Sequence, residues 1–310
     1  MSEKVKNRIT FIDIAKGVAM LLVVMHHCGG NLDRGMSVIT IIDVPLFFLC
    51  SGYLAYKPSY SYRREFIKKT KGILFPFVLA MCFISLWRRE NVIDLFCNDI
   101  TKSGYWFLEA LYIVFILWWG THFISLRNKM LQIPVCIIVE IGLLGASKFL
   151  PESIDNIFCF SSLARYYPCF VAGAMLREYN IRAIRNKWIG LGLIVVTILG
   201  FGHWSTSNNI DFILQVGAYI TSAILLFYFI RVIEKEIPCI ISSQLSIIGQ
   251  YSLNIYIIHF FLVPNIADGL PDAFIIHLVY SLALAIVISY VSMVIGRFLT
   301  AMTPLDKVLR

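Results

Sequence analysis

RITFIDIAKGVAMLLVVMHHC, residues 8–28, is the stretch from which the rest of the chain is read. At a rise of ~1.5 Å per residue, a run of about 20 residues is long enough to cross a bilayer once as a helix. It nevertheless carries Asp13, Lys16, His26 and His27. Titratable groups inside a spanning helix are costly unless they find partners or line an aqueous cavity, so all four are functional candidates. About eleven steps of ~100° return His27 to within roughly 20° of Lys16, with Asp13 on the same side and His26 expected to point away. One polar stripe therefore runs along this helix, roughly 16 Å from Lys16 to His27.

The remaining composition agrees with a lipid solvent. The chain of 310 residues is 58% hydrophobic and 15% charged, too apolar for a soluble domain of that length. Apolar segments fall near 9–28, 37–56, 72–88, 104–124, 131–149, 157–176, 188–204, 210–231, 246–266 and 274–299. The expected fold is an all-α membrane protein of about ten transmembrane helices, a single domain over residues 1–310 without internal repeat. A net charge of +8 in a soluble protein would suggest nucleic acid; here the basic residues cluster in short loops between apolar runs and read as topology. Lys4, Lys6, Arg8, Arg63, Arg64, Lys68, Lys69, Lys71, Arg127, Lys129, Arg177, Arg182, Arg185, Lys187, Arg231, Lys235, Arg297, Lys307 and Arg310 share one side when the N-terminus is cytoplasmic. Arg34, Arg88, Arg89, Lys102 and Lys148 take the other. Both termini are thus expected inside. With Lys16 inside its apolar region and no small-x-small cleavage site, the first helix is expected to stay in the mature protein.

Eight cysteines without a C-x-x-C pair read as packing residues. The six histidines, His26, His27, His122, His203, His259 and His277, form no metal-ligand motif, and no metal is expected. Other polar residues at membrane depth leave two readings open. SYRREFIKKTKG, residues 61–72, is either a positive-inside anchor or a site for a multiply phosphorylated cytosolic ligand. Arg165 is expected to meet Glu109, Glu140 or an acidic ligand. Ser51-Gly52 suits a close helix approach, and His259 either a packing donor or a site residue.

These residues occur in an order that resembles the acyltransferase 3 family of integral membrane acyltransferases over nearly the whole length. The resemblance rests on the acid, the basic residue and the histidine eleven positions later (Asp13, Lys16, His27), VPLFFLCSGYL at 44–54, WFL at 106–108, FVAG at 170–173 and SLNIYIIH at 252–259. It implies transfer of an acyl group, usually acetyl, from cytosolic acyl-CoA to a hydroxyl of a glycan or similar envelope acceptor, in a multi-pass protein of the bacterial inner membrane. His27 carries over as the catalytic residue, with Asp13 and Lys16 beside it. Lys68, Lys69, Lys71 and Arg165 are the expected acyl-CoA contacts, and Asp43, Glu109 and His259 the acceptor-side candidates. The chain departs from the family's Arg-x-x-Arg element, for which Lys68 and Lys71 are the nearest equivalents, and it has Asp43 where many members have histidine. Membrane lipids and a possible second copy complete the expected partners, with no nucleic acid. A transporter or flippase of an envelope precursor is the rival class, because charged residues strung along several helices also describe a transport pathway.

Overall fold

The computed structural model describes residues 9–28, 37–57, 59–99, 101–126, 128–181, 184, 186–201, 209–263 and 274–302. Lys4, Lys6, Arg8, Arg34, Arg127, Arg182, Arg185, His203, Lys307 and Arg310 lie outside them, as does the side chain of His277. Among the described residues every regular element is helical. The principal helices are α1 (Thr10–Cys28), α2 (Asp43–Ala55), α3 (Tyr62–Arg88), α4 (Trp106–Ser125), α5 (Gln132–Phe149) and α6 (Phe160–Glu178). They are followed by α7 (Lys187–Phe201), α8 (Asn209–Ile233), α9 (Cys239–Gln250), α10 (Ser252–Ile258) and α11 (Phe274–Met302). Each apolar segment of the sequence is helical for most of its described length, but among the described residues six helices are long and apolar enough to cross a membrane by length and composition.

The chain divides into two compact units, Met1–Cys50 with Arg182–Arg310, and Ser51–Ile181. In the first, α1 is buried along most of its length and packs on α9, α11, α10 and α8. Its closest neighbour is α9. A Cβ on Gly17 would overlap the Leu245 carbonyl, and a Cβ on Gly249 would overlap the Asp13 carbonyl. In helical pairing these are the carbonyls to which the two glycine N–H groups themselves bond, at i−4, so each glycine sits against the other's hydrogen bond. Small residues let backbones meet this closely, which is how helices associate where lipid tails are as apolar as leucine. At the N-terminal end of α1, Phe11 meets Phe227 of α8 edge-on at 5.3 Å, with the guanidinium of Arg231 5.1 Å from the Phe11 ring.

The second unit is built on α3 to α6. Tyr62 at the start of α3 bonds to His122 near the end of α4 at 3.1 Å, and Arg88 at the end of α3 donates to Ser103 just ahead of α4 at 3.0 Å. Gln132 at the start of α5 donates to Glu178 at the end of α6 at 2.5 Å. Neighbouring helices therefore alternate in direction. Arg63, Arg64, Lys68, Lys129 and Arg177 fall at one end of this unit, and Arg88, Arg89, Lys102 and Lys148 at the other. The central α4 is mostly buried, whereas α5 shows Ile133, Ile137, Ile138 and Ile141 on its exposed face. That apolar stripe at helical spacing is the lipid-facing side.

Three local breaks depart from the expected segments. The third helix begins ten residues earlier than its apolar run and contains a wide, π-type turn at Thr70–Leu74. Pro76 explains the position: it has no N–H for the Gly72 carbonyl and its ring crowds that carbonyl, and a widened turn relieves both. Residues 246–266, expected as one span, divide at Tyr251 (φ −96°, ψ 11°) into α9 and α10 and tighten to a 3₁₀ turn at His259–Phe261. The sixth segment breaks at Cys159, which takes a left-handed conformation (φ 52°).

Lys102 is placed unexpectedly. Expected among the basic residues on the outer side, it is 0% exposed. Its ammonium donates to the carbonyls of Phe96 (2.7 Å) and Asn156, lies 3.9 Å from a Glu109 carboxylate oxygen and sits over the Phe96 ring. Lys102 and Ser103 reach these positions with φ of 49° and 52°. Asp99 holds the turn by accepting from Thr101 and Ser103; these bonds outweigh its partial burial and keep its carboxyl below the ordinary value. Lys102 is thus a structural charge, and discounting it sharpens the basic bias between the two ends.

Candidate active site

The last turn of α1 carries His26 and His27, and each imidazole is set by a different element. His26 Nδ1 lies 3.3 Å from Asp43 Oδ2 at the start of α2. Asp43 is 2% exposed and its other oxygen accepts from the Val44 N–H at 2.6 Å. Asp43, one of the acceptor-side candidates, therefore pairs with His26 and not with His27. His26 does not point away from His27: the two rings stack 5.4 Å apart at an interplanar angle of 5°.

His27 is itself exposed, and ringed on its other sides. The His259 ring lies 5.2 Å away and the Phe260 ring 4.9 Å away. Both belong to the 3₁₀ turn that follows α10, so the break in the ninth segment is what presents them. His259 is 0% exposed, and its Nδ1 faces the carbonyls of Tyr256 (2.7 Å) and Ile255 (3.2 Å). Asp13 and Lys16, half-buried about one to two turns into α1, both act electrostatically on Cys50 of α2. Among the described residues no group of three or more His, Cys, Asp or Glu is arranged to hold a metal ion.

The residues expected to bind the donor lie in the other unit and are described within it. Lys68 and Lys71 are exposed on α3, while Lys69 is turned inward with its ammonium 3.6 Å from the centre of the Phe115 ring. Thr70 meets the Tyr112 hydroxyl at 2.9 Å. The π-type turn at Thr70–Leu74 is what brings Lys69 and Thr70 onto α4. Arg165 meets neither Glu109 nor Glu140: its Nε is buried without a hydrogen-bond partner among the described residues, and so is one carboxylate oxygen of Glu140. Glu109 instead bonds with the Cys159 thiol at 3.4 Å, alongside Lys102. Gly52 provides the close approach expected of Ser51-Gly52, against the Phe170 carbonyl of α6.

Two features of the first unit were missed from sequence, the His26–Asp43 pair and the convergence of His259 on His27. The neighbouring stretch IIDVP, residues 41–45, was a signal for the first, because an acid opening an apolar helix is well placed to meet the end of the preceding one.

No curated protein and no solved structure matches the chain. A family model does, the acyltransferase domain of the acyltransferase 3 family, over residues 9–300. That span takes in the His27 ring cluster, the Lys69 turn and every helix long enough to cross a membrane, and the chain accordingly belongs to the acyltransferase 3 family and is a multi-pass membrane acyltransferase acting on groups other than aminoacyl groups.

Proposed function

We propose that the protein moves an acyl group, acetyl in the simplest case, from cytosolic acyl-CoA to a hydroxyl of a glycan or other cell-envelope acceptor, with His27 as the proton acceptor. The observation that carries this is His27 itself: an exposed imidazole at the end of an otherwise buried helix, set among the His26, His259 and Phe260 rings. An alcohol attacking a thioester needs a base for its proton, and an imidazole titrates near working pH. The hydroxyl oxygen bonds to the thioester carbonyl carbon as its proton passes to His27. The carbon–sulfur bond then breaks, and the CoA thiolate leaves with the proton that the imidazolium returns, giving an ester and CoA thiol. A two-step version, in which His27 carries the acyl group between donor and acceptor, uses the same residue.

Lys16, Lys68, Lys69 and Lys71 are assigned to the phosphates of the donor, and Arg165 to the donor or to the oxyanion. A buried guanidinium nitrogen without a protein partner favours an anionic ligand over the ion pair that was the other expectation. Asp13 supports the inner part of the polar stripe, and Asp43, Glu109 and His259 stand as the acceptor-side groups. The same reading places the chain in the bacterial inner membrane with about ten crossings and both termini cytoplasmic. The alternation of basic ends in the second unit supports it.

Membranes containing the protein, given acyl-labelled acetyl-CoA, are expected to release CoA thiol and to label a glycan fraction. Passage of an envelope precursor across liposomes without any donor, and no thiol release, would restore the transport reading. Replacing Lys68, Lys69 and Lys71 together by glutamine should weaken acyl-CoA binding about tenfold or more, since each cation near a phosphate contributes a charge-assisted contact. An unchanged dissociation constant by titration calorimetry would return the patch to topology alone. A second reading is supported by one bond: the imidazole that a carboxylate orients is His26, so His26 is the alternative base.

A further inference from the structure

We infer that His259 is the positioning residue of His27, fixing its tautomer by accepting a hydrogen bond from one ring nitrogen so that the other faces the acceptor hydroxyl. The inference rests on the assignment of His27 as base. Both partners of His259 Nδ1 are backbone carbonyls, the Tyr256 oxygen at 2.7 Å and the Ile255 oxygen at 3.2 Å. Carbonyls only accept, so Nδ1 carries the hydrogen and Nε2 of the neutral ring is a lone pair. That lone pair is buried with no hydrogen-bond partner among the described residues, in a residue 0% exposed. An orphaned acceptor in such a place is costly unless something donates to it.

Among the described residues, the rings within reach are His27, Tyr256 and Phe260. Phe260 has no polar hydrogen to give. Tyr256, three positions back on the same helix, gives Nδ1 its backbone carbonyl, and its hydroxyl does not bond Nε2. His27 has an N–H in either tautomer, and its centroid is 5.2 Å from that of His259. An N–H···N bond of about 2.9–3.0 Å plus two ring radii comes to about 5 Å, so the separation already matches and a rotation of the exposed His27 ring completes the bond. The chain of donors then runs from His27 N–H to His259 Nε2 and from His259 Nδ1–H to the Tyr256 carbonyl. This is the task a buried carboxylate performs in hydrolase triads, holding one nitrogen so that the other is the base. It falls to an imidazole here because Asp43 is engaged by His26.

The test compares His259→Phe with His259→Gln in the full-length protein, each first checked for a wild-type elution profile and thermal transition. Phenylalanine keeps a ring without a nitrogen; glutamine places a carbonyl oxygen near the position of Nε2. His259→Phe should lose about 10²-fold or more in kcat with KM for acyl-CoA within about twofold, and His259→Gln should recover at least about tenfold of that loss. Full activity in His259→Phe, a change confined to KM, or no recovery in His259→Gln would each overturn the inference. If His259→Phe fails to fold, histidine ¹⁵N resonances of the wild-type protein decide: His259 should read as the Nδ1–H tautomer, with an Nε2 signal that shifts in His27→Ala. An Nε2 signal indifferent to His27→Ala overturns it as well. His27→Ala assayed in parallel separates the two levels. Activity surviving that substitution refutes the base assignment, whereas loss there with full activity in His259→Phe refutes only the positioning role.

Discussion

His27→Ala is expected to lower acyl transfer by about 10²–10⁴-fold, the range over which a positioned general base accelerates a proton transfer. In barrier terms that is about 3–5 kcal/mol. His27 is exposed at the end of α1 and packs against three rings, so the variant should keep a thermal transition close to that of the parent. The loss should fall on kcat, because the residue is asked to act on the transition state and not on donor binding. His26→Ala is the informative companion. It leaves Asp43 buried without its imidazole, which costs stability, yet it should keep acyl transfer within about tenfold of wild type. If the two variants exchange roles, with His26→Ala inactive and His27→Ala active, the Asp43-oriented imidazole is the base. Retained transfer in both would remove histidine catalysis from the account.

How much of this could be read without coordinates is visible at single residues. The polar stripe of α1 followed from helical arithmetic, since Asp13, Lys16 and His27 needed only the ~100° step. The same arithmetic misled for His26, because adjacent side chains leave a helix about 100° apart but their rings can still swing together at its end. Asp43 and His259 were legible as unusual residues, while their partners were not. Pairing is decided by which helix ends meet, and nothing in a linear pattern states that α1 finishes beside both the start of α2 and the turn after α10. Lys102 shows the opposite failure. A lysine in a loop reads as solvated, and only the cage of carbonyls built by residues 96–99 and by Asn156 makes its burial affordable. Pro76 could have announced the break in α3, because a proline inside an apolar run always leaves one carbonyl without its donor. The close α1–α9 crossing was the least legible feature, since glycines in apolar helices are common and only a few sit at a backbone contact.

That crossing is where the largest effect on folding is expected. In an ordinary helix interior, glycine to alanine stabilises by roughly 0.5–1 kcal/mol, because alanine loses less backbone entropy and has the better helix propensity. Gly142 and Gly145 on α5 are such positions, with open space where a Cβ would stand, so alanine there should raise the melting temperature slightly or leave it unchanged. At Gly17 and Gly249 the sign should reverse. The added methyl would meet the Leu245 or Asp13 carbonyl, a group fixed in its own helix, so neither helix can yield locally and the two axes must part. Overpacking of this kind costs typically about 1–3 kcal/mol for one methylene, and leucine at Gly249 should exceed it enough to prevent recovery of folded protein from membranes. Gly17→Ala combined with Gly249→Ala should destabilise by less than the sum of the single changes, because one separation of α1 from α9 relieves both clashes. Thermal unfolding in detergent, followed by tryptophan fluorescence, measures all of these on one scale. Equal melting temperatures for Gly249→Ala and Gly142→Ala would mean that α1 and α9 do not meet backbone to backbone. The consequence reaches the site as well: α1 carries His27 ten residues beyond Gly17, and α9 leads through Tyr251 into the turn that carries His259. A parted crossing therefore should uncouple the two imidazoles, and the surviving folded fraction of Gly17→Ala should show a lower kcat with donor binding intact.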